Sequence, residues 1–139
     1  MILGICNGFQ ALIKLGLVPY GKIMDAVETM PTLTYNDIHH HVSEIVRTKL
    51  ISNKSPWFSL LTPGSINTVP ISHGEGKLVC DKKLLKQLLK SGQIPTQYVD
   101  LSGSSTMVMP FNPNGSVLAI DSMTNEDGTI LGKMAHSER

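Results

Sequence analysis

The chain has 139 residues, 41% of them apolar and 17% charged, with a formal net charge of +1. That size and balance suit one ordinary globular domain and give no compositional sign of disorder. A near-neutral charge without a dense lysine or arginine stripe offers no electrostatic footprint for nucleic acid or an anionic membrane, and no apolar run reaches the ~18 residues that would span a bilayer. Cys6 and Cys80 lie far apart and outside any metal-spaced or disulfide-rich pattern. They read most simply as reduced thiols in a soluble cytoplasmic protein, with a Cys6–Cys80 bridge as the alternative.

The chain opens on an apolar run, Met1-Ile2-Leu3, broken by Gly4-Ile5-Cys6-Asn7-Gly8 and followed by a helical pattern over about 8–15. A cysteine with a glycine two residues to either side has the layout of a nucleophile elbow, a strand-to-helix turn with cramped backbone angles that admits only small neighbours. The helix that follows would aim its N-terminal amides at the sulfur and favour the thiolate. The other reading of Cys6 is a small buried hydrophobe.

Residues 16–19 read as a stop and turn, and 21–31 as a linker or short helix. Val42 to Leu50 is expected to be a strand, 55–64 a turn or helical loop, and Ile66 to Ser72 a second strand ending at His73-Gly74-Glu75-Gly76. Asp81 to Ser91 is the clearest helix: Asp81 can cap it, Leu84, Leu85, Leu88 and Leu89 form one stripe, and Gly92 stops it. Its lysines, at 82, 83, 86 and 90, make a solvated face. Gln93 to Asp100 reads as a strand and 102–114 as loop. Val117 to Met123 and Thr129 to Ala135 form a hairpin around Asn125-Glu126-Asp127-Gly128. Strands alternating with helices predict an α/β fold with a β-rich C-terminal half. An elbow normally follows a central strand of a parallel sheet, yet this strand starts at residue 1, so the expected sheet is incomplete and the chain reads as a fragment of a larger domain.

Several groups could carry chemistry. His136 and Glu138 stand at i and i+2, about 6–7 Å apart along one face if they end a strand. There a carboxylate could orient an imidazole toward a third group, as in a triad with Cys6 as nucleophile; two surface residues is the alternative. Consecutive imidazoles in His39-His40-His41 diverge and have no completing Cys or carboxylate, so no metal site is expected. His73-Gly74-Glu75-Gly76 is either a closely approached loop or a simple turn, and Asn112-Pro113-Asn114-Gly115-Ser116 is a turn by composition.

In order, 4–10 (GICNGFQ), 71–76 (ISHGEG), 112–116 (NPNGS) and 132–139 (GKMAHSER) resemble the class I glutamine amidotransferase domain of phosphoribosylformylglycinamidine synthase, also called formylglycinamide ribonucleotide amidotransferase. The stretch from His41-Val42-Ser43 to Pro56-Trp57 resembles its large single-chain form. The likeness covers essentially all of residues 1–139 and implies a partial flavodoxin-like fold lacking its N-terminal strands. It implies a C–N bond-forming ligase of purine biosynthesis in which Cys6 attacks the glutamine amide, His136 moves the proton and Glu138 orients it. Asn7 would supply an oxyanion N–H, Gln10 would line the pocket, and the His73-Gly74-Glu75 backbone would hold the glutamine main chain.

By the same likeness the part represented here needs no cofactor or metal. ATP and magnesium belong to a synthetase domain of the same enzyme, which would receive the ammonia. A Gly-Gly loop carrying the second oxyanion donor is absent, a loss of about 3–4 kcal/mol in well-studied hydrolases, and Ala135 and Ser137 stand where many relatives have proline. The isolated chain is therefore expected to be weakly active or inactive. The competing readings are an inert structural or interaction module and a related elbow-type cysteine hydrolase. An uncovered sheet edge would further favour homo-oligomers.

Overall fold

The structure, a computed structural model, describes residues 1–139. The apolar opening run forms strand β1 (Ile2–Ile5), and helix α1 (Asn7–Lys14) follows directly, burying Phe9, Leu12 and Ile13. The chain then makes one short helical turn, α2 (Leu17–Tyr20), and runs without regular structure to β2 (Thr32–Thr34). Strand β3 (Val42–Leu50) pairs antiparallel with β4 (Ile66–His73) along almost its whole length, from Val42 opposite His73 to Lys49 opposite Ile66. Between them, Pro56–Phe58 forms a 3-10 turn capped by Ser55.

Strand β5 (Lys77–Val79) leads to helix α3 (Lys82–Lys90), where the Asp81 carboxylate accepts from the N–H groups of Lys83 at 2.8 Å and Leu84 at 3.2 Å. Those bonds satisfy two of the amides that a helix N-terminus leaves unpaired. Leu85 and Leu88 are buried, whereas Leu89, on the margin of the expected stripe, is 37% exposed. Strands β6 (Thr96–Tyr98), β7 (Ser122–Thr124) and β8 (Ile130–Lys133) complete the chain's elements.

Three small sheets result, ordered β1-β8-β7, β2-β5 and β4-β3-β6. The fold is mixed α/β, and one strand pair, β1 with β8, is parallel. In place of the central strand expected before the elbow, β1 has one neighbour, and Ile2 and Leu3 are 45% and 42% exposed. The larger apolar cluster gathers Phe9, Leu12 and Ile13 of α1 with Leu85 and Leu88 of α3, Met123 and Met134. A smaller one gathers Val46, Val69, Ile71, Tyr98 and Ala135.

Two expectations need correction. Residues 117–120 do not begin a strand: Val117–Ala119 forms a 3-10 turn in which Leu118 and Ala119 have positive φ. The strand expected over 93–100 shrinks to Thr96–Tyr98, because Pro95 has no N–H for a ladder and Gln93 spends its side chain bridging Pro19 O and Thr124 O. The pair β2–β5 leaves no periodic signal in the sequence, since three-residue strands are too short to show alternation.

A buried polar chain links Ser116, Asn114, His73 and Tyr98. Asn114 Oδ1 accepts from the backbone N–H and hydroxyl of Ser116 at 3.0 and 2.7 Å, which fixes the amide so that Nδ2 faces His73 Nε2 at 3.1 Å and the Tyr98 hydroxyl at 3.4 Å. An amide nitrogen only donates, so His73 Nε2 accepts and its proton sits on Nδ1. His73 is 3% exposed. Burial, then the neighbouring imidazoles of His41 and His136, lower its pKa to about 4.

Two consequences can be measured. Asp81→Ala removes the α3 cap and should cost about 1 kcal/mol in urea unfolding; an unchanged midpoint would show that the cap contributes nothing. Because the folded pKa of His73 lies below its ordinary 6.5, the unfolded chain takes up this proton first on acidification. Stability from this group is thus complete above pH 6.5 and declines toward pH 4, by up to about 1.4 kcal/mol per pH unit. His73→Gln should flatten the unfolding free energy between pH 6.5 and 5, whatever its absolute stability. An identical slope in the variant would count against this assignment.

Candidate active site

The bend between β1 and α1 falls on one residue. Cys6 has φ 54° and ψ −108°, a left-handed conformation that costs a non-glycine residue strain, and it is held there by its N–H on Lys133 O at 2.8 Å and by Gln10 N–H on its own carbonyl at 3.1 Å. Small neighbours are needed on one side only. A Cβ on Gly4 would stand 2.6 Å from Leu12 Cδ1 and 2.7 Å from the Gly8 backbone, whereas one on Gly8 would meet nothing within 4 Å. The sulfur points to Ser72 O at 3.8 Å. Asn7, as the first residue of α1, has a backbone N–H with no intrahelical partner beside the thiol.

The β1–β8 register, with Gly4 opposite Gly132 and Ile5 opposite Lys133, brings the distant end of the sequence to this bend. Strand β8 stops at Lys133, so His136 and Glu138 lie past the strand rather than on one face of it. They meet nevertheless: His136 Nδ1 is 2.6 Å from Glu138 Oε1. That hydrogen bond lowers the Glu138 pKa. With Nδ1 donating to the carboxylate, Nε2 carries the lone pair, and it is buried with no hydrogen-bond partner in the protein. The segment is pinned by Asp121, whose carbonyl accepts from Met134 N–H at 3.1 Å and whose carboxylate accepts from Ala135 N–H at 2.9 Å, and by His136 N–H on Pro70 O at 2.9 Å.

A cavity of about 420 Å³ opens beside the thiol, lined by Cys6, Asn7, Gln10, His41, Ser72, His73, Gly74 and Glu75. All of the expected substrate-side residues therefore line one space. His136 and Glu138 are outside that lining, and the strand pairing brings their segment to the Cys6 bend. Gln10 Nε2 donates to Glu75 O at 2.7 Å, so its amide nitrogen braces the rim. Gly76 lies under the His73 ring, where any Cβ would collide with Nε2.

Two contributors escaped the sequence reading as site residues. Asn36 is fully buried and makes five bonds: Nδ2 donates to His73 O at 2.9 Å and His40 O at 3.1 Å, Oδ1 accepts from Gly76 N–H at 3.1 Å, its own N–H reaches Gly74 O at 3.0 Å, and its carbonyl accepts from His39 N–H at 2.9 Å. It ties the 73–76 rim to the histidine turn. His41, the last of that turn, lines the cavity and places Nε2 3.0 Å from Ser72 Oγ. No spacing signal marks Asn36, because a turn asparagine and a buried hub look alike in sequence. In the sequence His41 stands out as one of three consecutive imidazoles and as the start of the 41–57 stretch.

Neither cysteine is in a disulfide. Burial and the Asp81 carboxylate push the Cys80 thiol up to about 11. The His40 ring bonds Ile38 O at 2.7 Å, and no three His, Cys, Asp or Glu side chains anywhere in the chain are grouped to hold a metal ion. In the 112–116 turn, Asn112, Asn114 and Ser116 are fully buried, which makes it an internal brace of His73. No helix is long and apolar enough to cross a membrane.

Known proteins share this arrangement of sequence and fold. The chain is 37% identical over 138 residues to phosphoribosylformylglycinamidine synthase subunit PurQ of Parasynechococcus marenigrum and 38% identical over 138 residues to the same subunit of Thermomicrobium roseum. Each match covers 99% of this chain and 54% or 53% of the relative, so the chain spans about half the length of the curated relatives it matches. A solved structure of PurLQS from Thermotoga maritima superposes with a TM-score of 0.74 at 27% identity, covering 100% of this chain and 51% of that one. The sequence model of the CobB/CobQ-like glutamine amidotransferase domain matches residues 1–139. The chain belongs to the CobB/CobQ-like glutamine amidotransferase domain family.

Proposed function

We propose that this chain carries the glutaminase site of a phosphoribosylformylglycinamidine synthase, with Cys6 as nucleophile, His136 as general base and acid, and Glu138 as its orienter. The observation that carries the reading is the His136–Glu138 bond of 2.6 Å, delivered by strand pairing to the strained cysteine bend beside a polar cavity. Relatives named as a subunit of that synthase support it.

In this mechanism His136 Nε2 takes the Cys6 thiol proton as sulfur attacks the side-chain carbonyl carbon of glutamine. Asn7 N–H donates to the oxygen that gains charge. His136 then returns the proton to the departing nitrogen, the C–N bond breaks, and ammonia and a thioester remain. Water adds to the thioester with His136 as base, the C–S bond breaks, and glutamate and the free thiol are regenerated. The ammonia would serve a synthetase partner that uses ATP and magnesium to aminate formylglycinamide ribonucleotide in the cytoplasm. Within that larger assembly the parallel β1–β8 pair would form part of a flavodoxin-like sheet. The free edge of β1, with Ile2 and Leu3 exposed, is the surface through which this chain would self-associate.

A glutamine analogue bearing an electrophilic ketone at the amide position tests the site without requiring turnover. Peptide mapping should find it on Cys6 and not on Cys80, and glutamine should slow the reaction. Labelling that ignores glutamine would favour an inert module instead. His136→Ala should slow labelling by roughly 10²–10⁴-fold, the usual contribution of a positioned base, and Glu138→Gln should slow it in the same direction with a smaller loss. Full reactivity in His136→Ala would remove the histidine from the mechanism.

A further inference from the structure

His136 stands just past a break in regular structure. Strand β8 ends at Lys133, opposite Ser122 of β7, and the chain then crosses from the β1-β8-β7 sheet toward the β4-β3-β6 sheet. Three successive amides make that crossing on three different acceptors: Met134 N–H on the Asp121 carbonyl at 3.1 Å, Ala135 N–H on the Asp121 carboxylate at 2.9 Å, and His136 N–H on Pro70 O of β4 at 2.9 Å. The side chains change core at the same step. Met134 belongs to the larger apolar cluster and Ala135 to the smaller one.

Asp121 is tightly held in that place. Its side chain is 1% exposed, and each oxygen has a donor: Oδ1 takes the Ala135 N–H, and Oδ2 takes the Thr96 hydroxyl at 2.8 Å. Its own N–H donates to Thr96 O at 3.1 Å, so Thr96 of β6 grips it by main chain and side chain alike. A buried carboxyl group is costly to desolvate, and an apolar residue there would avoid that cost. What the carboxyl supplies is a second acceptor at one residue: Met134 occupies the carbonyl, and the side chain catches the next amide in line. Glu138 cannot substitute for this anchor. Its side chain is 48% exposed and lies on the same segment two residues on, so it turns the imidazole without placing it.

We propose that Asp121 is a positioning residue for glutamine hydrolysis: through the Ala135 N–H it holds the His136 imidazole where Nε2 can exchange a proton with Cys6. It lies outside the cavity lining and acts through His136. The inference rests on reading Cys6 and His136 as nucleophile and base.

The electrophilic glutamine analogue, reacted with Cys6 over a range of concentrations, yields a maximal labelling rate and a half-saturating concentration separately. Asp121→Ala should lower the maximal rate by about 10- to 100-fold, the scale of a misplaced catalytic group, and leave the half-saturating concentration unchanged. Asp121→Asn, which keeps an oxygen for the Ala135 N–H, should recover most of the rate. Thr96→Val releases Oδ2 alone; its maximal rate should fall in the same direction by less, and it carries the test if Asp121→Ala does not fold. In a His136→Ala background Asp121→Ala should cost nothing further, whereas a residue that only stabilises the fold would cost the same factor in both backgrounds. Equal maximal rates in wild type and Asp121→Ala, a loss that persists in the His136→Ala background, a loss in Asp121→Asn as deep as in Asp121→Ala, or an unchanged rate in Thr96→Val where Asp121→Ala does not fold, each overturns the role of Asp121 alone. No glutamine-protectable labelling of the wild type overturns the glutaminase reading and this inference with it.

Discussion

Everything chemical in this chain hangs on the parallel pairing of β1 with β8. A two-strand parallel ladder is not intrinsically strong, yet here it sets the register that places Lys133 O on Cys6 N–H and carries the histidine and glutamate past the bend. The contact between Lys133 and Cys6 does two things. It holds Cys6, a strained positive-φ N-cap whose side chain makes no capping bond, and it sets which residues of the distant segment follow β8 past the bend. A slip of one residue would turn every side chain of β8 to the opposite face.

Around that pairing the protein fixes its geometry with buried amides as well as with the Asp121 carboxylate. Asn36 and Asn114 each satisfy both ends of the side chain, and Asn114 thereby dictates the tautomer of His73. Neutral hydrogen-bonded amides avoid the large desolvation cost of an ion in the same place. The result is a rim whose three carbonyls, at residues 73, 74 and 75, already accept bonds from within the protein. Each keeps a second lone pair, so the bracing and a ligand are compatible.

Local chemistry was the legible part of the sequence. The elbow showed because glycine spacing around a cysteine has a steric meaning, although only Gly4 proves sterically required. Helix α3 showed because a cap, a stripe and a stop coincide, and β3 with β4 because nine- and eight-residue strands are long enough to display alternation. What stayed hidden was set by tertiary contact. Three-residue strands carry no period, the 117–119 turn depends on positive φ at Leu118 and Ala119, and the value of Asn36 arises entirely from two loops meeting. The i, i+2 spacing of His136 and Glu138 pointed to the right contact for the wrong reason, since both lie beyond the strand that was to align them.

The wide sequence separation between Cys6 and His136 has a consequence for biosynthesis. A ribosome releases the cysteine, its helix and much of the cavity wall long before it releases the residue that would act as base. Throughout that interval the nascent chain holds an uncommitted thiol, and only the arrival of β8 against β1 brings the His136–Glu138 segment to its bend. Folding order thus keeps the thiol apart from the His136–Glu138 pair until the element that closes the sheet has emerged.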